Sequence, residues 1–243
     1  MSWQPIDCHA HTIMSDGYLT VPELAEAARA RGVRPSVADH LSGDVAYSVK
    51  TVEGVREYLD ELDEFEVARG GEFCWHDALW RELPDDLTAR FTHRIGSIHA
   101  VQAPTGGLVY AFSRRVPDGL TPDAYMDIHI ENLERFAREM PVEILAHPTL
   151  LPLPFRHIPL EEMWTEERGG RAVAALAMEI SSRYRPHERF IRRAHAAGIR
   201  LSLGSDGHTP EQVADVEFGL AFARGIGVPD EDLFDPWVHG KRS

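Results

Sequence analysis

The hydrophobic residues of this chain fall into short continuous runs that are separated by amphipathic segments. Seven such runs occur, at residues 5–8, 33–38, 71–74, 94–98, 142–146, 173–180 and 199–203. Strands that are covered on both faces, as in parallel sheets, carry continuous apolar runs rather than an alternating pattern. The pattern therefore predicts a buried, parallel β-sheet.

The segments between the runs carry the sequence signals of helices. Thr20 and Glu23 have the spacing of a capping box, and Gly32 follows the last apolar position of that helix. Further helices are predicted after Thr121-Pro122, after Thr209-Pro210, and over residues 186–197 ahead of Gly198. Strands and helices thus alternate along the chain, which is typical of α/β folds.

Length and composition agree with one α/β barrel. The chain has 243 residues, of which 43% are hydrophobic and 26% charged, an ordinary globular mixture that can form a large core. Seven strands in this length favour closure of the sheet into a barrel, and we predict a single domain over residues 1–243. Residues 104–119 fit neither period and are predicted to form a loop that could cover a site.

The charge and the cysteines argue against several classes of protein. A formal net charge of −14 disfavours binding to long nucleic acids, because such proteins concentrate lysine and arginine against the phosphate backbone. Two cysteines are too few for a disulfide framework, and neither a leader segment nor a membrane-spanning apolar run is apparent. We therefore expect a cytoplasmic protein that binds no membrane; a homo-oligomer stays open.

Residues of the kinds that bind metals stand at or near the ends of the predicted strands. In chain order they are His9, His11, Asp39, His40, Glu72, His99, His147, Glu179, Asp206 and His208. The carboxyl ends of barrel strands form one rim, where active sites are assembled from several strands. The alternative is that these are ordinary turn residues and helix caps, which are more commonly Ser, Asn and Gly. Clustered ligand types on one rim favour a metal site.

Two short motifs have a geometry that suits a metal ion. His9 and His11 are two residues apart in a predicted strand, so that both imidazoles point to the same face. Asp16 follows within Ser15-Asp16-Gly17, close enough in sequence to reach the same rim, although Asp-Gly is also a common turn. Asp206 and His208 form a second pair at a strand exit.

Taken together, these residues form an ordered set of motifs. The set comprises His9-Ala10-His11-Thr12 with Ser15-Asp16-Gly17, Asp39-His40, Gly71-Glu72, His99, His147 and Gly204-Ser205-Asp206-Gly207-His208. In this order, from residue 6 to about residue 215, it resembles the polymerase and histidinol phosphatase (PHP) superfamily. Residues 95–99 (IGSIH) and 204–211 (GSDGHTPE) look most like the histidinol phosphatase branch.

The resemblance implies a distorted (β/α)7 barrel of the PHP type, with the active site at the carboxyl ends of the strands. It also implies two to three divalent metal ions, of manganese, zinc or iron. Nine ligands are implied: His9, His11, Glu72 and Asp206 for the first ion, Glu72, His99 and His147 for the second, and Asp16, His40 and His208 for the third. Asp206, His208 and Glu72 are in addition expected to take part in catalysis.

The reaction implied is hydrolysis of a small phosphomonoester, a phosphatase reaction in which a metal-bridging hydroxide attacks phosphorus. The partner is then a small phosphorylated substrate. Arginines are natural phosphate ligands, because a guanidinium meets two oxygens at once. The candidates are Arg183 and Arg185 after the sixth strand, and Arg114 and Arg115 in the predicted covering loop.

Other functions stay open. A nucleotide or dinucleotide phosphodiesterase or nuclease of the same superfamily would use the same chemistry in a different pocket. An amidohydrolase, which cleaves C–N or C–O bonds, also places H-x-H on its first strand. Its two-metal members are commonly bridged by a carboxylated lysine, whereas Lys50 and Lys241 lie outside the predicted strands. A regulatory metal-binding domain without catalysis is the last alternative.

Some neighbouring residues are left out of the ligand set. Glu179 is predicted to support a ligand or to pair with an arginine, and Asp39 to orient His40 or another ligand. Cys8 and Cys74 are predicted to be inert, buried thiols.

Overall fold

The computed structural model is an α/β fold around a parallel sheet, and it describes residues 3–103, 106–165, 167–168 and 177–240. The strands are β1 (Ser36–Val37), β2 (His40–Leu41), β3 (Ala68–Arg69), β4 (Glu72–Cys74), β5 (Ile95–Ser97), β6 (Ala100–Ala103), β7 (Gly107–Tyr110), β8 (Ile144–Leu145), β9 (Ala177–Ser181) and β10 (Leu201–Gly204). Six of them form one sheet in the order β10-β9-β8-β5-β4-β2, in which every pair of neighbours is parallel. The strands β1 and β3 extend β2 and β4 at their amino ends and also pair in parallel.

The amino-terminal segment joins the two edges of this sheet. On one side Ile6 forms a parallel bridge with Arg34, and Ala38 N donates to Ala10 O at 2.8 Å. On the other side Cys8 N donates to Leu203 O at 2.9 Å. This segment is therefore the seventh member of a closed, irregular barrel, and the predicted distorted α/β barrel is confirmed. The predicted run at 173–180 lies partly outside the described residues, and its strand is described from Ala177 onward.

Helices connect the strands, and several begin and end where the sequence predicts. They are α1 (Val21–Ala30), α2 (Val52–Asp63), α3 (Leu79–Glu82), α4 (Asp85–Thr88), α5 (Pro122–Glu139), α6 (Leu160–Met163), α7 (Glu188–Ala196), α8 (Glu217–Gly225) and α9 (Pro236–His239). Thr20 and Glu23 form the predicted capping box of α1. Within the described ranges, no helix combines the length and the apolar character needed to cross a bilayer.

Two local predictions are wrong. The segment predicted as a loop from residue 104 contains part of an antiparallel hairpin, β6–β7, in which Val101 pairs with Val109 and both side chains are buried. Residues 104 and 105 lie outside the described residues. The helix predicted after Thr209 is a single turn, closed by bonds from the N–H groups of Gln212 and Val213 to Thr209 O. Ala214 then takes a left-handed φ of 60°, which ends the turn, and α8 begins later.

The barrel interior is filled by a layer of mostly small apolar side chains. This layer is a separate cluster of buried residues to which most barrel strands contribute, namely Ile6, Cys8, Ala38, Ala68, Ile95, Ile144, Ala146, Ala177 and Phe234. The larger apolar residues pack instead in the cluster that includes the helices. The filled interior supports the polar rim at the carboxyl ends of the strands.

Candidate metal centre

The structure brings all nine predicted metal ligands together at the carboxyl rim of the barrel. Their positions follow largely from the strand register, since His40 of β2 lies opposite Glu72 of β4, and His99, His147 and Asp206 each stand two residues after a strand of the same sheet. Seven of the nine residues are buried in one shared cluster of imidazoles and carboxylates, and the side chains of His208 and Asp16 lie at its edge, 14% and 35% exposed.

Glu72 lies at the middle of the cluster. Its side chain is 1% exposed, and Ser97 Oγ donates a hydrogen bond to Oε1. The two carboxylate oxygens face different imidazoles, as expected for a bridging ligand. Oε2 lies 2.6 Å from His40 Nδ1, 3.4 Å from His9 Nε2 and 3.8 Å from His11 Nε2, whereas Oε1 lies 3.2 Å from His147 Nε2 and 3.3 Å from His99 Nε2.

The ligand atoms fall into three groups, each compact enough for one ion. The groups are His11, Asp16, His40 and His208; His9, His11 and Asp206; and His40, Glu72 and His99. The resemblance implied three sets of similar composition. They differ in two respects. His11 and His40 each belong to two groups, and His147 belongs to none of the three, although its Nε2 lies 3.3 Å from His99 Nε2 of the third group.

The donor set fits divalent cations. Among the described residues, five buried ligand atoms of this cluster approach one another or a carboxylate without the geometry of a hydrogen bond: His9 Nε2, His11 Nδ1, His11 Nε2, His40 Nδ1 and Glu72 Oε2. Burying polar atoms without partners is unfavourable, so their convergence requires a compensating interaction. Imidazole and carboxylate together suit zinc, manganese and iron, and this set does not choose among them. Metal binding by the nine residues stays a prediction.

The imidazoles and carboxylates of the cluster shift each other's pKa values. Burial opposes ionisation of Glu72, but the imidazoles of His40 and His9 outweigh it and hold the pKa of Glu72 well below its usual range. The pKa of Asp206 is likewise lowered, with His11 outweighing the effect of burial. Conversely, Glu72 raises the pKa of His40 to about 9 against the effect of burial. Both carboxylates are therefore ionised at neutral pH and available as ligands.

A carboxylate outside the ligand set fixes two of the histidines. His9 Nδ1 donates to Glu179 Oε1 at 2.8 Å, and His147 N donates to Glu179 Oε2 at 2.6 Å. The first bond leaves His9 Nε2 to face Glu72 and fixes the ring orientation, the usual task of a carboxylate behind a metal-binding histidine. The sequence had left Glu179 between this role and pairing with an arginine, and its contacts match the first.

Two buried aspartates fix the loops that carry other ligands. Asp39 accepts from Thr12 N and Thr12 Oγ1, both at 2.7 Å, and from Ser15 Oγ at 2.5 Å, so it holds the loop ahead of Asp16. Asp7 accepts from Ser205 N at 2.8 Å and from Ser205 Oγ at 2.6 Å, beside Asp206. Sequence reasoning missed Asp7, although a charged residue inside an apolar strand run is a signal for such a role.

The two cysteines differ in their surroundings. Cys8 is buried in the barrel interior. Cys74 Sγ lies 3.2 Å from Nδ1 of His99, the ring nitrogen that faces away from Glu72. Burial raises the pKa of the Cys74 thiol, so it is neutral near pH 7 and can orient the His99 ring.

A cavity of about 410 Å³ opens above the cluster. Besides ligands, its lining includes Asp44, Tyr110, Phe112, Arg183 and Tyr184. The hairpin and the segment after it therefore form one wall, and the segment after β9 forms another.

Of the four predicted phosphate-binding arginines, Arg183 lies at the cluster. Its guanidinium is 2.8 Å from His208 Nδ1 and donates to Asp206 O at 3.2 Å. Arg185 instead packs over the ring of Phe218, at 4.8 Å from its centroid. Arg114 and Arg115 follow the hairpin and are absent from the described lining of the cavity.

Comparisons with known proteins agree with the resemblance in the sequence. The fold matches the crystal structure of a candidate histidinol phosphatase, hisK, from Listeria monocytogenes, with a TM-score of 0.69, 13% identity, and coverage of 88% of this chain and 99% of that one. The chain is also 23% identical over 230 residues to the DNA polymerase/3'-5' exonuclease PolX of Bacillus subtilis (strain 168), covering 90% of this chain and 36% of that protein. No protein-family model matches. The structural match shows the fold, and the predicted PHP-type barrel is confirmed; the similarity to PolX is consistent with the resemblance in the sequence.

Proposed function

We propose that the protein is a metal-dependent phosphoesterase that hydrolyses a small phosphomonoester. One observation carries the proposal: buried imidazole and carboxylate atoms that form no hydrogen bond converge around Glu72 on the floor of a cavity that also presents Arg183. Such a floor suits the cations that phosphoryl transfer needs, and the arginine suits the phosphate oxygens. The candidate phosphatase and the exonuclease among the similar proteins agree with this reaction class.

The nine ligands would hold two to three ions. When bound, divalent ions lower the pKa of water and neutralise charge on a phosphoryl group. The ionised Glu72 and Asp206 contribute negative charge that favours cations, and Glu179 and Cys74 fix the rings of His9 and His99.

Arg183 would bind the substrate phosphate. Its bond to Asp206 O and its contact with His208 hold the guanidinium at the edge of the cluster, and its side chain is 39% exposed toward solvent. Tyr184 lines the same cavity, and burial raises its pKa to about 12. Its hydroxyl therefore stays protonated at neutral pH and can donate a hydrogen bond to an ester oxygen.

The test is phosphate release by the purified protein, loaded in turn with manganese, zinc and iron(II). The substrates are p-nitrophenyl phosphate, histidinol phosphate and nucleoside monophosphates. We expect metal-dependent release that is lost in Asp206→Asn and retained in Asp215→Asn, a matched change at an exposed carboxylate. No release with any metal or ester, from protein that binds two or three ions, would refute the proposal and direct the search to amide and lactone substrates.

A second candidate is a nucleotide or dinucleotide phosphodiesterase. Three aromatic residues that line the cavity, Tyr110, Phe112 and Tyr184, favour it, because bases stack on aromatic rings. The similarity to the exonuclease is consistent with it, although the chain spans 36% of that protein. Faster hydrolysis of bis(p-nitrophenyl) phosphate and dinucleotides than of p-nitrophenyl phosphate would favour this candidate.

A further inference from the structure

A second, smaller cavity of about 100 Å³ lies on the other side of the hairpin wall and is lined by polar side chains. Three parts of the fold contribute to it: the segment after β4, the hairpin, and α5. The lining residues that matter here are Trp75, His76, Arg81, Gln102, Asn132 and Arg135. None of them is a predicted metal ligand, and the proposed phosphoesterase activity does not use them.

The two arginines of this cavity are held in place by aromatic rings. The Arg81 guanidinium carbon lies 3.9 Å from the ring centroid of Trp80 and 5.5 Å from that of Trp75, and Arg135 approaches Trp75 at 5.5 Å. Trp75 is itself fixed, because its indole N–H donates to Asn132 Oδ1 at 3.0 Å. Stacking of this kind limits the motion of a guanidinium and leaves its in-plane N–H groups able to donate, as Arg81 Nη1 does to Asp77 O at 3.2 Å.

The positive charge of the pair is only half neutralised. Within the described ranges, the acidic partner of both arginines is Glu139, at 3.8 Å from Arg81 and 3.2 Å from Arg135. One carboxylate against two guanidiniums leaves one positive charge at this place, on a chain whose formal net charge is −14. The side chain of His76 is 2% exposed, and its buried Nδ1 has no hydrogen-bond partner among the described residues.

We propose that this cavity binds a small oxyanion of the phosphate class. Two guanidiniums on neighbouring walls can together surround a tetrahedral anion, and a cavity of about 100 Å³ can hold a group of the size of phosphate. His76 connects this cavity to the larger one, since His76 Nε2 lies 3.1 Å from Asp44, which also accepts from the Tyr110 hydroxyl at 2.7 Å. Asp44 and Tyr110 both line the larger cavity.

The test is titration of the full-length protein with inorganic phosphate, followed by calorimetry and by the fluorescence of Trp75 and Trp80. We expect binding that survives removal of metals by a chelator, because the site contains no metal ligand. Arg81→Gln/Arg135→Gln should weaken it about a hundredfold or more, because each charge-assisted contact contributes about tenfold or more. Glu139→Gln should tighten it, because it removes the competing carboxylate.

Arg138→Gln, on the same helix and exposed, is the matched control and should leave the affinity unchanged. If the double variant does not fold, the two single variants and Glu139→Gln still test the site. Methylphosphonate separates two sources of the anion: weaker binding than phosphate assigns the site to free phosphate, and equal binding assigns it to the phosphoryl group of a larger molecule. Equal phosphate affinity in the wild type, the arginine variants and Glu139→Gln, or loss of all binding on chelation, would overturn the proposal.

Discussion

Replacing Glu179 by glutamine should weaken metal binding while the protein stays folded. Both carboxylate oxygens accept from buried donors, the Nδ1 of His9 and the backbone N–H of His147. Glutamine has one acceptor oxygen and one NH2 group, so one of these two donors would face another donor. Either the His9 ring turns, or the loop at His147 shifts; both displace a predicted ligand.

The expected magnitude follows from those two contacts. Leaving one buried donor unsatisfied costs about 1–3 kcal/mol. Removing the partner of a metal-binding histidine typically lowers metal affinity by about 10–100-fold, or about 1.4–2.8 kcal/mol. The two figures agree, and we expect an affinity loss within that range. Gly204→Ala should have a similar effect by a different route, because a Cβ at position 204 would overlap Oε1 of Glu179.

The assay is competition for zinc or manganese between the protein and a chromogenic chelator, with circular dichroism as the check on folding. Glu188→Gln, which changes an exposed glutamate on α7, is the matched control and should bind metal like the wild type. Unchanged metal affinity in a folded Glu179→Gln protein would show that this carboxylate does not position the ligands, and the reasoning would fail.

Three further predictions concern the substrate, a thiol and the stability. Arg183→Gln should raise KM for phosphomonoesters about 10–100-fold; steady-state kinetics that show an unchanged KM would remove Arg183 from the site. Cys74→Ala should weaken metal binding about tenfold and Cys74→Ser less, because serine keeps a hydrogen-bonding group beside His99 Nδ1; equal affinities in the chelator assay would contradict this. Burial lowers the pKa of His129 to about 4 from 6.5, so the unfolded chain takes up a proton first as the pH falls. Above pH 6.5 the imidazole is neutral in the folded and in the unfolded protein. Between pH 6.5 and 4 it is protonated in the unfolded protein alone, so the free energy of unfolding falls by up to about 3 kcal/mol. Urea unfolding of His129→Gln should show a smaller loss than the wild type; an equal loss would show that His129 is not responsible.

The sequence predicted the rim residues well because their positions depend on chain order and strand period alone. Seven apolar runs, each of which contains a carboxylate or leads to a histidine or a carboxylate, end at one rim in any closed parallel barrel. The contacts behind the rim needed the structure. Asp7 and Glu179 act on residues far away in sequence, with Glu179 bonding to His9 at a separation of 170 residues. No local pattern specifies such a partner.

The wrong predictions have a related cause. Thr209-Pro210 carries the start signal of a helix. The loop that begins at Asp206 is held by the barrel, however, and the helix ends after a single turn. In the hairpin, each strand has four residues, and one of the four of β7 is buried, too few for the sequence pattern to indicate a strand. Tertiary contacts decide such short segments, whereas capping signals decide longer helices such as α1.

Two predicted ligands have a backbone conformation that residues other than glycine rarely adopt. This explains why the buried carboxylates of Glu179 and Asp7 lie behind the site. His147 has φ 27° and Asp206 has φ 51°, both in the left-handed region. Such residues cost about 1–3 kcal/mol each and persist only where neighbouring contacts hold them. At His147 the contact is the bond from its own N–H to Glu179. At Asp206 it is the bond from its N–H to His9 O at 2.8 Å, next to Ser205, which Asp7 holds. Glu179→Gln therefore removes both the orientation of one imidazole and the restraint on a strained backbone. We therefore expect Glu179→Gln to change the metal affinity more than the free energy of unfolding. Relaxation of the backbone at His147 would move a ligand, but it would also relieve strain in the folded state.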